Sequence, residues 1–274
     1  MDLHGKTILI TGSTDGVGVW VARRLAADGA HVLLHGRSEA RGRAVLEAIR
    51  AEGGSAEFLP ADLSALAEVR RLAEAVLARH DRIDVLINNA GIGLGLDQTR
   101  RETSADGYEL RFAVNYLAGF LLTRLLLPVL RRSAPARIVN VASAGQQEID
   151  FDDVMLTHGY SGMRAYCQSK LAQILFTFDL AEELRGSGVT ATCLHPATHM
   201  DTTMVRQGGF QPTSTVEEGG EAILALAVSL GREGESGVYF SGQHPARPLA
   251  QAEDPAARDQ LRRLSTRLAG LEPG

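Results

Sequence analysis

Two glycines stand between a short apolar run, Thr7 to Thr11, and a helical pattern that begins at Val17, and a third follows at Gly18. They lie in the loop Thr11-Gly12-Ser13-Thr14-Asp15-Gly16-Val17-Gly18, and such a loop leaves a chain few folds to choose from. A strand must feed it and a helix must leave it. The first glycine then makes the tight turn, the second lets the backbone approach an anion, and the third lets helix and strand pack closely. The free N–H groups and dipole of the helix start favour negative charge, which suits the pyrophosphate of a dinucleotide. Gly12, Ser13, Thr14, Asp15, Gly16, Val17 and Gly18 are therefore the first candidate cofactor contacts.

The same alternation continues along the chain. Strands are expected at Thr7 to Thr11, His31 to Gly36, Ala56 to Leu59, Asp84 to Asn88, Arg137 to Ala142, Val189 to His195 and Val238 to Phe240. Helical patterns between them run over Val17 to Asp28, Glu39 to Glu52, Leu66 to Arg79, Tyr108 to Arg132, Arg164 to Arg185 and Val216 to Leu230. Repeated strand-helix units of this kind wind about a parallel sheet, so the expected fold is α/β: a doubly wound Rossmann fold with seven parallel strands and helices on both faces. No linker or repeat divides the 274 residues, and one domain is expected, with a core over 5–240 and an extension over 241–274 that carries a short helix near Pro255 to Leu268.

Composition narrows the function classes. The chain is 45% hydrophobic and 22% charged with a net charge of −5, so it has no basic field to hold nucleic acid or anionic lipid. No apolar run reaches the ~18 residues of a spanning helix, and MDLHGKTILITG is not ordered as a leader, so a cytoplasmic protein with no membrane partner is expected. Two cysteines, Cys167 and Cys193, fit neither a disulfide framework nor a zinc site. His195 and His199 lack a third ligand at suitable spacing, and no metal is expected. Arginine outnumbers lysine 26 to 2, so Lys6 and Lys170 have persisted against a strong bias.

Where dinucleotide folds that prefer NAD carry a carboxylate for the ribose 2′-hydroxyl, this chain reads His35-Gly36-Arg37-Ser38. A guanidinium there suits a 2′-phosphate, so NADP(H) is expected in preference to NAD(H), with Arg37 and Ser38 as contacts. Asp62, followed by Leu63, either accepts from the adenine amino group or caps the next helix. Tyr166 and Lys170, four residues apart on a helical pattern, share one helix face, so the ammonium can favour the phenolate form of the tyrosine.

In order and approximate spacing, the glycine loop, Asp62, Asn88-Asn89-Ala90-Gly91, Asn115, Ser143 and Tyr166-Cys167-Gln168-Ser169-Lys170 resemble the short-chain dehydrogenase/reductase family in its single-domain branch. Thr103-Ser104-Ala105-Asp106-Gly107-Tyr108-Glu109, Phe112-Ala113-Val114-Asn115-Tyr116-Leu117 and Ile149-Asp150-Phe151-Asp152-Asp153 are most similar to its retinol dehydrogenase and carbonyl reductase group. The resemblance implies that Tyr166 is the general acid and base, that Ser143 holds the substrate oxygen, and that Asn115 anchors a water leading to Lys170. It also implies that Lys170 binds the nicotinamide ribose and that Asn89, Ala90, Gly91 and Pro196 border the cofactor. Ala197 stands where the family usually has glycine, so a slightly shifted loop is expected there, with Thr198 or Thr202 bonding the carboxamide or phosphates.

The implied activity is NADP(H)-dependent interconversion of a ketone or aldehyde and an alcohol, as a ketoreductase on a small or specialised metabolite. A cofactor-binding sensor or scaffold without turnover, and an isomerase or dehydratase using the cofactor transiently, are the rival readings. Substrate choice belongs to Gly93 to Arg101, Ala144 to Ala165 and His199 to Thr213. Their acidic residues suit a polar substrate, while Met155, Met163, Met200 and Met204 suit an apolar one. Pairing into a homodimer or homotetramer, as the family often does through the helices holding Asn115 and Tyr166, would draw on Leu117, Phe120, Leu121, Ile174 and Phe178, some of which must instead face the sheet.

Overall fold

Apolar side chains on both sides of a strand demand cover on both sides. Ile8, Leu9 and Ile10 are all buried, and the same holds for Val32, Leu33 and Leu34, as in parallel sheets sandwiched between helices. The computed structural model describes residues 2–272, so Met1 and the last two residues of the expected extension, Pro273 and Gly274, lie outside it. In chain order the elements are β1 (Thr7–Ile10), α1 (Gly16–Ala27), β2 (His31–Gly36), α2 (Glu39–Ala51), β3 (Ser55–Pro60), α3 (Leu66–Leu77) and β4 (Val85–Asn88). A π-helical stretch over Phe112–Leu117 then leads into α4 (Ala118–Arg132), followed by β5 (Ala136–Val141), α5 (Gly162–Glu183) and β6 (Val189–His195). The chain continues with α6 (Thr203–Gln207), α7 (Val216–Val228), β7 (Val238–Ser241), β8 (His244–Pro245) and α8 (Pro255–Leu268).

The strands form one sheet in the order β3-β2-β1-β4-β5-β6-β7-β8. Strands β1 to β7 run parallel, as expected. The eighth strand corrects the expected count of seven: β8 turns back through Gly242, at φ 58°, and pairs antiparallel with β7. Two residues are too few to show alternation, so the sequence carries no sign of it. Leu9 and Leu33 pack under α3, α4 and α5, while Ile8, Ile10 and Leu34 pack under α1 and α7. The order reverses between β1 and β4, which opens a crevice at the carboxyl ends of these strands, the place where open α/β sheets bind ligands.

Two expectations change here. Phe112–Arg132 forms 21 helical residues with mean hydropathy 1.6, long and apolar enough to cross a membrane, although the sequence reading finds no such run. Its most apolar window is 72% buried inside the protein, as a core helix must be. Four of the residues expected to offer a pairing face, Leu117, Phe120, Leu121 and Ile174, are also buried, with Phe178 partly so. Their neighbourhood is closed by α8, which lies along α5. The Tyr116 hydroxyl is 2.6 Å from Ser265 Oγ, Tyr108 donates to the Leu268 carbonyl at 3.0 Å, and Arg262 and Arg258 pair with Asp179 and Glu182.

Candidate active site

The glycine loop sits at the crevice. Gly12 has φ +66°, and a Cβ there would stand 2.8 Å from the Cα of Ala90; a Cβ on Gly18 would collide with the Gly12 carbonyl oxygen. Only glycine therefore lets backbone alone floor the cradle. Asp15 caps α1 by accepting from Gly16 N–H at 2.8 Å. Asn89 donates to the carbonyls of Thr11 and Gly12 at 2.9 and 3.1 Å, and the backbone N–H groups of Asn89 and Ala90 both donate to Thr11 Oγ1 at 3.0 Å. Asn89 and Ala90 thus hold the cradle in shape, and this cradle fits a dinucleotide pyrophosphate.

His35 is a part of this assembly that sequence reasoning missed. Its Nδ1 accepts from Gly12 N–H at 3.1 Å, and its Nε2 lies 3.2 Å from the Ala61 carbonyl. Burial pushes its pKa down to about 4, so the ring is neutral and its two partners fix the single proton on Nε2. Beyond β2, Arg37 is exposed and Ser38 caps α2, accepting from Arg41 N–H at 3.4 Å. Arg41, also unforeseen, reaches back to pair with Asp15, the cap of α1, at 3.2 Å. Asp62 is exposed, and its carboxylate accepts from Ser64 N–H at 2.9 Å. The first N–H of α3, that of Leu66, is capped instead by Asp106, and the Leu63 side chain is buried in the core.

The four expected catalytic residues meet at the ends of β4 and β5. Asn115 lies in the π-helical stretch, a geometry that displaces one turn and is frequent at functional sites. Its amide donates to Ile92 O at 3.2 Å and Ser169 Oγ at 3.0 Å, and its Oδ1 accepts from Ile92 N–H at 2.7 Å. A Cβ on Gly91 would stand 3.4 Å from Asn115 Oδ1 and 3.5 Å from Lys170 Nζ, so both groups converge on that glycine. Lys170 Nζ donates to Val141 O at 3.0 Å and Gln173 Oε1 at 2.9 Å, and burial pushes its pKa down to about 7.

Tyr166 is half-buried, one turn before Lys170, with its ring centroid 5.7 Å from the ammonium. Burial raises the phenol above its ordinary pKa, and a hydrogen bond with Ser143 only partly offsets this. The expectation that Lys170 favours the phenolate is therefore corrected: the ammonium turns to Val141 and Gln173, and desolvation wins. Ser143 Oγ accepts from Gly145 N–H at 3.1 Å, while the Ser143 carbonyl accepts from the Tyr239 hydroxyl at 3.1 Å.

After β6, Pro196 is buried and Thr198 Oγ1 lies 3.0 Å from His195 Nε2. Thr202 caps α6 and its methyl would stand 3.2 Å from a Cβ on Gly16. Of the two threonines, Thr202 is the one at the glycine loop. Two residues past Ala197, His199 takes a left-handed backbone at φ 47° and stacks on Phe210 with centroids 4.6 Å apart, so the loop is bent there.

The three expected substrate stretches pack on one another. Arg111, 1% exposed, donates to the carbonyls of Gly93 and Leu94 and to the Tyr160 hydroxyl, and pairs with Glu102. Met204 reaches Gly93, where a Cβ would meet its Cγ at 3.0 Å. The acidic side chains of the long stretch are partly spent within it. Asp150 pairs with Arg164 at 2.8 Å, and Asp153 accepts from the N–H groups of Thr157 and His158 at 2.8 Å each, which holds its pKa down at about 2. By contrast Leu96, Met163, Met204 and Phe210 are exposed on these stretches.

A sequence profile described as short chain dehydrogenase matches residues 6–210. Human "Retinol dehydrogenase 13" is 37% identical over 290 residues, spanning 98% of this chain and 86% of that protein. Among solved structures, an uncharacterised protein from Mycobacterium paratuberculosis superposes with TM-score 0.81 at 30% identity, over 99% of this chain and 96% of that one. Pseudomonas aeruginosa RhlG, solved as an NADP active-site complex, superposes with TM-score 0.71 at 29% identity, over 88% of this chain and 95% of that one.

Proposed function

The chain belongs to the short-chain dehydrogenase family, and on that premise we propose that it is an NADP(H)-dependent alcohol dehydrogenase or carbonyl reductase that works on an apolar aldehyde or ketone. The observation that carries this reading is the convergence of Lys170 and Asn115 on Gly91, with Tyr166 bonded to Ser143 one helical turn away. When bound, the nicotinamide supplies hydride for reduction or accepts it for oxidation. Gly12 and Gly16 would cradle the pyrophosphate, with Gly18 letting α1 pack close behind them and Thr202 beside Gly16, and Arg37 and Arg41 would meet the 2′-phosphate.

Tyr166 gives its proton to the substrate oxygen in reduction and takes it from the alcohol in oxidation, and Ser143 orients that oxygen. A phenol held above its ordinary pKa is protonated at neutral pH, the form that reduction needs. Lys170, at about 7, exchanges protons readily at that pH, and Asn115 alongside it would anchor the water through which they reach solvent. The apolar substrate class follows from the exposed Leu96, Met163, Met204 and Phe210 on the three substrate stretches, together with the internal pairing of Asp150 and Asp153.

Nicotinamide absorbance at constant enzyme, with NADPH or NADH against apolar and polar carbonyl compounds, tests this. Apolar aldehydes are expected to turn over faster with NADPH than with NADH. Tyr166→Phe should lower kcat by ~10²–10⁴, the usual contribution of a general acid. Arg37→Asp should reverse the cofactor preference, and an unchanged NADPH to NADH ratio would remove Arg37 from the 2′-phosphate site.

A further inference from the structure

Two histidines and a carboxylate meet at the edge of the sheet, at the end away from the glycine loop. In the β2–β3 pair, His31 lies opposite Ser55 and Leu33 opposite Glu57. Residues two apart share a face of a strand, so His31 and Glu57 are diagonal neighbours on the face that also carries Leu33, the one covered by α3. His80 follows α3, its N–H donating to Val76 O at 2.9 Å, and its ring drops onto the same spot. His80 Nε2 is 3.0 Å from Glu57 Oε2, and the His31 and His80 rings lie 5.6 Å apart between centroids. One ring nitrogen from each histidine and one oxygen of Glu57 all fall within 4.8 Å of one another. All three residues are half-buried.

We propose that His31, Glu57 and His80 bind a first-row divalent transition metal ion, Zn²⁺ above all, with water completing a four-coordinate site. Two imidazoles and one carboxylate match the donor taste of zinc, whereas magnesium and calcium prefer oxygen throughout. Bonds of ~2.0–2.2 Å at tetrahedral angles set neighbouring donors about 3.3 Å apart. His80 and Glu57 are already at that spacing, and His31 has only to swing inward by about 1.5 Å or less. Ser55 Oγ, 2.7 Å from His31 Nδ1, holds that ring, and Arg79 takes the other carboxylate oxygen of Glu57, which turns Oε2 toward His80.

The ion would tie together β2, the edge strand β3 and the exit of α3. It would not meet the cofactor, because Arg37 stands six residues along the strand from His31, or roughly 20 Å away. The test is calorimetric titration of the chelator-stripped full chain with Zn²⁺, with thermal unfolding in parallel. One equivalent bound at micromolar affinity and a rise in Tm of several degrees are expected, with NADPH affinity unchanged. His80→Asn and Glu57→Gln should each weaken Zn²⁺ binding by at least about tenfold. Co²⁺ on the unaltered chain supplies a readout independent of any variant: an intense visible band marks a four-coordinate ion. Failure of the stripped chain to take up Zn²⁺ at high micromolar metal overturns the proposal. Undiminished affinity in the His80 and Glu57 variants, or a weak six-coordinate Co²⁺ spectrum, does so equally.

Discussion

The short loop from β1 into α1 and the much longer segment that follows β7 both join the core, yet only the first is marked locally. Gly12 takes a left-handed φ of 66° and a Cβ on Gly18 would meet the Gly12 carbonyl oxygen, so residue type alone marks the turn. The segment after β7 takes its shape from distant partners. Ser265 meets Tyr116, Arg262 meets Asp179, and Leu268 O accepts from Tyr108, 160 residues away. Local sterics can be read from one stretch of sequence; a seat made by two far stretches cannot.

This contrast can be broken in three places. Gly18→Ala, the smallest possible change, is expected to have the largest effect, because its methyl collides with the Gly12 carbonyl oxygen. NADPH affinity measured by fluorescence should fall by well over about tenfold, and an unaffected variant would mean that the loop is looser than its contacts imply. Leu261→Ala should leave cofactor affinity unchanged and cost about 2–5 kcal/mol in urea unfolding, since Leu261, on the buried face of α8, is 1% exposed. A loss below about 1 kcal/mol would make α8 an appendage instead of part of the core.

The third case sits inside the legible region and concerns pH. The folded-state pKa of Lys170 is depressed to about 7 from 10.5, so between these values the unfolded chain binds the extra proton and stability rises with pH. Lys170→Met removes that dependence. The variant should be more stable than the parent at pH 7, and its advantage should shrink by up to about 1.4 kcal/mol per pH unit toward pH 10.5. Parallel unfolding curves at pH 7 and pH 9 with a constant gap would show that burial of Lys170 is not what moves it.

Strands β1 to β7, the six longer helices between them and, through the family resemblance, the grouping of Asn115, Ser143, Tyr166 and Lys170 were legible, because periodicity and motif spacing survive in the linear chain, whereas the short α6 was not foreseen. What was not legible depended on pairings across the fold. His35 looks like one more residue of a buried strand until its ring is seen between Gly12 and Ala61. Asp106 caps a helix that starts 40 positions earlier, so Asp62, adjacent in sequence, was the natural but wrong candidate. The pKa of Tyr166 also went the other way, since spacing shows that Lys170 is near but not which acceptors its ammonium has chosen.

The contact between Tyr116 and Ser265 joins positions 149 apart. At a synthesis rate of ~5–20 residues per second, Tyr116 would leave the ribosome roughly 7–30 s before its partner exists. Throughout that interval the apolar face that α8 later covers has no cover from its own chain. The nascent protein therefore has a timed window of stickiness, and slower codons in the stretch before α8 would lengthen it.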